Sequence, residues 1–339
     1  MNLIRRKVNK PATIVCLVAV CSSLLSACGG SSDSSDTTAG IGGTGIVSGQ
    51  ITGFGSIHVN GGKFEIDTST FIVDGDTFVG QAGQDALSLG MVVRLRVETE
   101  DGVFTNIASE VVYDDEIEGP LIDPTEDPMD PTIKTGTVFG KTITFDEANT
   151  IFENTSFDSI GEEDILGVRD VIEVSGFRVS PTEITATYVR FIEDLGPNSE
   201  VELRGIITDY SSGLPETFKI DGITIETDVD TEIEVPDGML VDGIYVEVEG
   251  VINTPTSILA EEIEFEDEDF DDDIDEISLQ GIVAGFTGIA KDFFLNNQLV
   301  NASTAQLSPA GLTLVNGLNI KVEGEIIGGL LIADEVEKD

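Results

Sequence analysis

Acidic side chains are the most abundant groups in this chain that could do chemistry, and their spacing is typical of a cation site. Carboxylates recur at every second residue from Glu226 to Glu234, and a second acidic run covers 262–275. Because successive side chains of a strand point to opposite faces, this spacing predicts a strand with five carboxylates on one face. Oxygen ligands of this kind suit Ca²⁺, which takes about six to eight of them. We predict a Ca²⁺ site formed by Asp228, Asp230, Glu232, Asp267, Asp269 and Asp271.

The same carboxylates have a simpler interpretation as solvated strand faces and a spacer between domains. Blocks of like charge repel one another and usually stay extended in water. The sequence also lacks the D-x-[DN]-x-[DN]-G loop that opens an EF-hand calcium site. Both interpretations stay open at this point: a bound Ca²⁺ ion, or no cofactor at all.

Cys28 is a candidate for covalent lipid modification. It follows a basic start and a mostly apolar run from Ala12 to Leu25, which is shorter than the ~20 residues of a membrane span. This pattern predicts an export signal over residues 1–27. The segment Leu25-Ser26-Ala27-Cys28 resembles the bacterial lipobox, which implies cleavage before Cys28 and acylation of that residue. Gly29 at the next position implies retention at the outer membrane.

Residues for catalysis are scarce. His58 is the only imidazole, and the apolar Ile57 and Val59 on either side predict that it points away from a core, beside a turn. A general base needs a partner within hydrogen-bond reach, and no such pairing is visible in the sequence. Residues 40–45 match G-x-G-x-x-G, but no strand precedes them and no helix follows, so we interpret them as linker. We predict no catalytic residue and no enzyme.

The overall charge excludes another class of function. The chain has 17 Lys and Arg against 64 Asp and Glu, which gives a formal net charge of −47. Binding of nucleic acid requires a basic face that displaces counterions from phosphates. We therefore expect no nucleic-acid partner, and instead a membrane, through the lipidated Cys28, and other envelope proteins.

Most of the chain consists of four copies of one pattern. Each copy has an opening glycine, a short hairpin turn between apolar strands, and a last strand that contains an alanine. The turns favour β-hairpins because Asn, Asp and Gly accept the positive φ that a two-residue hairpin needs. The opening glycines are Gly49, Gly119, Gly205 and Gly281; the turns are Asn60-Gly61, Phe139-Gly140, Asp221-Gly222 and Asn296-Asn297; the alanines are Ala108, Ala186, Ala260 and Ala333.

Short strands separated by turns predict an all-β fold, as a tandem array of four small five-to-six-stranded, OB-like barrels. We expect these barrels to stand apart like beads. The predicted boundaries are a lipoprotein signal peptide at 1–27, a flexible tether at 28–44, and β-domains at 45–116, 117–196, 197–272 and 273–339, called repeats 1 to 4 below.

This combination of glycine positions, alternating strands and a lipobox resembles the DUF5666 family, a domain of unknown function in exported bacterial proteins. The resemblance implies tandem β-domains and supplies no catalytic residues.

The expected function is that of a cell-envelope lipoprotein acting as a non-enzymatic acidic scaffold or interaction protein, in the form of an extended stalk. The alternative is a module in repeat 3 that binds a divalent cation or a basic peptide. The expected location is the outer membrane, on its periplasmic side or at the cell surface.

Overall fold

A computed structural model describes residues 42–100, 103–161, 169–196, 198–254, 256–266, 274–288 and 292–339. These residues form mainly β-strands, with one short α-helix, Gln81–Gln84, and one 3-10 turn, Pro236–Gly238. The all-β prediction is confirmed. None of the helical segments in these ranges has the length and apolar character of a membrane span. The signal peptide, Cys28 and tether residues 28–41 lie outside the described ranges.

In the described residues, repeats 1, 2 and 3 contain seven strands each and repeat 4 contains six. Repeat 1 contains β1 (Gly42–Gly53), β2 (Ile57–Val59), β3 (Gly62–Phe64), β4 (Thr70–Val73), β5 (Asp76–Val79), β6 (Val92–Glu100) and β7 (Val103–Tyr113). Repeat 2 contains β8 (Ile117–Pro120), β9 (Ile122–Glu126), β10 (Ile133–Val138), β11 (Lys141–Asp146), β12 (Ile151–Glu153), β13 (Asp170–Ser180) and β14 (Glu183–Asp194). Repeat 3 contains β15 (Glu200–Ile206), β16 (Thr208–Ser211), β17 (Thr217–Ile220), β18 (Ile223–Glu226), β19 (Glu232–Glu234), β20 (Tyr245–Thr254) and β21 (Ser257–Phe265). Repeat 4 contains β22 (Ile274–Ile282), β23 (Asp292–Leu295), β24 (Gln298–Asn301), β25 (Gln306–Ser308), β26 (Asn319–Ile327) and β27 (Leu330–Lys338).

The four repeats share one order of strand pairing. In repeat 3, β15 pairs with β20, β20 with β21, β21 with β18, β18 with β17, and β17 with β16, which continues β15 along the chain. Only the contact of β18 with β21 is parallel in this series. The same order recurs in the other three repeats. Each series returns to its starting strand, which is consistent with an OB-like barrel.

The repeated glycines and turns have a common structural reason. The turns adopt positive φ as predicted, for example 51° at Asn60 and 73° at Gly61. Each hairpin folds over the opening glycine of its own repeat, so that a Cβ at Gly49 would overlap the side chain of Asn60. The equivalent contacts in the other repeats join Gly119 to Phe139, Gly205 to Ile220 and Gly281 to Asn296. The opening residue is therefore glycine because the hairpin packs directly against the backbone.

Backbone hydrogen bonds join the repeats in pairs. The first strand of repeat 2, β8, pairs with β15 of repeat 3 and completes a 14-stranded sheet. The first strand of repeat 1, β1, pairs in parallel with β22 of repeat 4 in a 13-stranded sheet. The expectation of separate beads is therefore wrong, because the first strands of different repeats pair with each other. The four domain boundaries stay a prediction.

One end of the predicted tether also differs from the expectation. Gly42, Gly43 and Thr44 belong to β1 and pair with the end of β6, Glu98–Glu100. The long β6 provides partners for these residues, so the strand begins three residues before the predicted boundary. These pairings also place the last glycines of the G-x-G-x-x-G match in a strand.

The hydrophobic core follows the pairing of the repeats. Repeats 2 and 3 share one continuous cluster that contains Ile117 and Leu203 from the two paired first strands. The core of repeat 1 includes Tyr188 of repeat 2, and the core of repeat 4 includes Ile46 of repeat 1. Each repeat is thus packed against at least one neighbour by apolar contacts as well as by strand pairing.

Candidate functional site

Two residues of the predicted calcium site lie in a turn and not in a strand. The chain leaves β18 after Glu226 and enters β19 at Glu232. The carboxylate of Asp228 accepts a hydrogen bond from the backbone N–H of Asp230 at 2.8 Å, and this local bond stabilises the turn. The predicted single strand face of five carboxylates is therefore wrong. Such a strand would place Val229 on the opposite, inward face, but Val229 is 96% exposed.

Glu232 is brought close to two other acids where β19 pairs with β21 of the 14-stranded sheet. Its carboxylate lies within 4.8 Å of those of Glu234 and Glu262, and we call these three residues the outer cluster. The register of β19 with β21 explains the contact, because Glu232 is directly opposite Glu262 and Glu234 opposite Glu264. Asp267, Asp269 and Asp271, the remaining predicted ligands, lie outside the described residues. The calcium site at these six positions stays a prediction.

The strand register aligns six glutamates in one row across repeats 2 and 3. Each member is directly opposite the next on the neighbouring strand. The members of this glutamate row, from β13 to β19, are Glu173, Glu118, Glu202, Glu249, Glu262 and Glu232. Arg190 on β14 extends the row beyond Glu173. Like charges directly opposite each other destabilise a sheet, so this row needs counter-charges, protons or bound cations.

The inner end of the glutamate row is buried where repeats 1, 2 and 3 meet. Asp115 lies in the link between β7 and β8, and its carboxylate is within 4.8 Å of those of Glu118 and Glu173. Asp115 is 2% exposed and Glu173 is 0% exposed. The hydroxyl of Tyr113, the last residue of β7, donates a hydrogen bond of 2.8 Å to Glu173 Oε1. This bond connects repeat 1 to repeat 2 inside the protein.

Arg190 and Arg204 supply positive charge to this region. Arg190 forms an ion pair with Glu173. Arg204 on β15 contacts Glu202 and Glu247, each at 2.9 Å, and donates a hydrogen bond to the backbone carbonyl of Asp115. We call the five carboxylates of Asp115, Glu118, Glu173, Glu202 and Glu247, together with Arg190 and Arg204, the junction cluster.

The electrostatics of the junction cluster reflect its excess of acids. Burial raises the pKa of Asp115 well above its usual range, and the neighbouring charge of Glu173 adds to the effect. Burial also raises the pKa of Glu202, which is opposed by Arg204. Burial would raise the pKa of Glu247 as well, but the charge of Arg204 and the hydrogen bonds with Glu202, Glu266 and Arg204 together lower the pKa of that carboxyl. One guanidinium shared by two acids is therefore insufficient to keep both ionised.

Sequence reasoning missed the junction cluster. The available signal was a polar residue just before each opening glycine: Ser48, Glu118, Arg204 and Gln280. In a strand with an apolar inner face, such residues point away from the barrel and are expected to be solvated. Here that outer face is covered by the neighbouring barrel, and only the pairing of first strands reveals it.

The corresponding junction of repeats 1 and 4 is held by side-chain amides. The side-chain amide of Asn60 donates hydrogen bonds to the backbone carbonyls of Ser48 and Ser278. Gln280 accepts a hydrogen bond of 2.9 Å from the backbone N–H of Gln50. Gln280 also donates a hydrogen bond of 2.8 Å to the carboxylate of Asp339, so an amide and a carboxylate meet at this junction.

His58 lies where the alternation predicts. Ile57 and Val59 are buried, while His58 is half-buried between Gly53 and Lys63 on the neighbouring strands. Its position beside a hairpin turn agrees with a surface residue.

Comparisons with known proteins agree with the repeat analysis. The model of a family described as a domain of unknown function, DUF5666, matches residues 44–111, 127–190 and 204–264, in repeats 1, 2 and 3. No curated protein matches the chain. Repeat 4 lies outside the matched segments, yet it has the same order of strand pairing. With three matches that together cover more than half of its length, the chain belongs to the DUF5666 family.

Proposed function

We propose that this protein is a non-enzymatic acidic scaffold or interaction protein of the cell envelope, anchored in the outer membrane through lipidated Cys28. The observation that carries the proposal is the pairing of first strands between repeats. Backbone hydrogen bonds and shared cores hold the barrels in fixed positions, which suits a rigid support. The form differs from an extended stalk, because Gly40–Asp339 is one compact unit.

The outer cluster is the surface that best suits a binding partner. It lies on β19 and β21, with Glu232 and Glu234 exposed and Glu262 half-buried. Carboxylates at this spacing attract a basic segment of another protein, and the attraction across solvent falls with ionic strength. We expect the partner to be an envelope protein with a basic face.

The alternative function is a module in repeat 3 that binds a divalent cation or a basic peptide as its main task. The outer cluster favours it as well, since its three carboxylates lie within 4.8 Å of one another. The two functions differ in the size and number of partners, and one experiment addresses both.

The experiment is affinity capture from solubilised envelope extract with the full-length tagged protein. We expect one stoichiometric partner, whose retention falls as salt is raised and is lost in the triple variant Glu232→Gln, Glu234→Gln, Glu262→Gln. A matched control changes three exposed acids of repeat 1, Glu65→Gln, Asp67→Asn and Asp76→Asn, and should retain the partner. Recovery of no protein in wild type, with small basic peptides bound instead, would support the alternative.

The same preparation tests the anchor. Wild-type protein should sediment with the outer membrane, whereas Cys28→Ala should move to the soluble fraction because the acyl chains are absent. Equal sedimentation of both proteins would contradict anchoring through Cys28.

A further inference from the structure

We propose that the carboxylates of Asp115, Glu118 and Glu173 bind a Ca²⁺ ion in the buried junction of repeats 1 and 2. One oxygen from each side chain lies within 4.8 Å of the other two. Two ligands on opposite sides of a Ca²⁺ ion, each at about 2.4 Å, stand about 4.8 Å apart. The three oxygens are therefore spaced as neighbours in one coordination shell.

The carboxylate of Asp115 supplies an independent reason for a ligand. Within the ranges that the structure describes, Asp115 Oδ1 is fully buried and has no hydrogen-bond partner. A buried polar atom without a partner costs about 1–3 kcal/mol, and more when it is charged. Asp115 contacts Arg204 only through its backbone carbonyl, so the side chain stays directed at Glu118 and Glu173.

The buried carboxylate of Asp115 also calls for a cation. Arg190 is engaged by Glu173, and Arg204 is engaged by Glu202 and Glu247. In the part of the chain that the structure describes, Arg204 reaches Asp115 through its backbone carbonyl and leaves the Asp115 side chain without an ion pair to either guanidinium group. Buried charges without partners either take up protons or bind a metal ion. An all-oxygen set of carboxylates selects a hard cation such as Ca²⁺.

An ion at this position would affect how repeats 1 and 2 are joined. Asp115 lies in the link after repeat 1, Glu118 on β8, and Glu173 on β13 of the same barrel. An ion bound to all three would fix the link between repeats 1 and 2 against the sheet that contains repeat 3. The inference stands independently of the scaffold function, because it concerns the interior and not the outer cluster.

The test compares thermal unfolding of the full-length, chelator-treated protein in Ca²⁺ and in excess chelator. We expect Ca²⁺ to raise the Tm of wild type by several degrees, since an ion that binds only the folded state stabilises it. Asp115→Asn should abolish this rise. An identical Tm for wild type with and without Ca²⁺ would overturn the proposal, and protonation alone would then balance the cluster.

Terbium luminescence locates the ion and provides a second readout. The chain has no Trp, so tyrosines are the donors that sensitise bound Tb³⁺. Tyr113 lies 2.8 Å from Glu173 and is well placed for this transfer. Emission excited through tyrosine should be lost in Asp115→Asn and kept in Glu262→Gln, the matched change in the outer cluster. The reverse result would place the ion at the outer cluster and overturn the proposal. If Asp115→Asn fails to fold, Glu118→Gln has the same expected outcomes.

Discussion

The hydroxyl of Tyr113 makes a buried hydrogen bond between repeats 1 and 2. It is buried, and its acceptor Glu173 is buried as well. The pKa of the Tyr113 hydroxyl is raised well above its usual value by burial and by Glu173, so it stays a donor at all ordinary pH.

We expect Tyr113→Phe to lower the free energy of unfolding by about 1–3 kcal/mol, because a buried carboxylate loses a donor. Tyr210→Phe is the matched control: Tyr210 donates to Glu216 at 3.1 Å in a more exposed position, and its loss should change stability by less than ~0.5 kcal/mol. Urea unfolding of the two variants measures the difference. Equal effects would show that burial at the junction adds nothing to this bond.

Some residue positions could be predicted from the sequence and others could not. The turn at Asp221-Gly222 was predictable, because it depends only on local φ preferences. Asp228 was misassigned because its carboxylate accepts a hydrogen bond from the backbone N–H of Asp230, which stabilises a turn in place of a strand. Glu118 and Glu202 could not be placed together, since their contact depends on how two barrels dock.

At the scale of elements, one bulge recurs in the last strand of every repeat, where one residue has no partner on the strand before it. The register shifts between Glu249 and Gly250 in repeat 3, and at the equivalent places in the others. Gly250 is opposite Ala260, the alanine of the repeat pattern in repeat 3. A Cβ at Gly250 would overlap the carbonyl oxygen of Leu259. Gly250 and Ala260 thus allow the bulged last strand and its neighbour to approach closely.

Gly250→Ala should therefore destabilise the protein by about 1–3 kcal/mol, since the neighbouring backbone cannot move away without loss of pairing. Gly196→Ala is the control, because the nearest atom to its Cβ would be 3.9 Å away. Its effect should be within ~0.5 kcal/mol. Chemical denaturation compares the two, and a neutral Gly250→Ala would show that the bulge relaxes.

The strands themselves were predictable from alternation, but their partners were not. Val246 and Val248 are buried as the two-residue period indicates. The parallel contact of β1 with β22 joins residues such as Val47 and Ser278, and no local pattern encodes a pairing across so long a separation.

At the scale of the whole molecule, stability should depend on pH in an unusual direction. Burial raises the pKa of Glu264 from 4.5 to about 7, with Glu262 adding to the shift. Burial raises the pKa of Glu266 to about 7 against the opposing charge of Arg204. Between pH 4.5 and about 7 these two carboxyls bind more protons in the folded chain than in the unfolded chain. The free energy of unfolding therefore falls as the pH rises.

We expect the Tm to decrease as the pH is raised from about 4.5 to about 7, and the double variant Glu264→Gln, Glu266→Gln to show a shallower decrease. Glu126→Gln, an exposed acid of repeat 2, should keep the wild-type slope. Calorimetry at a series of pH values gives both slopes. A Tm that increases over this interval would show that these carboxyls are ionised in the folded protein.

The parallel pairing of β1 with β22 has a consequence for how the chain reaches its final form. A ribosome makes the strand Gly42–Gly53 more than two hundred residues before its partner Ile274–Ile282. Until that partner emerges, a long row of unpaired amides and carbonyls on the nascent chain is open to any other strand. The amino-terminal repeat therefore completes the pairing of this edge only after the last repeat has been made.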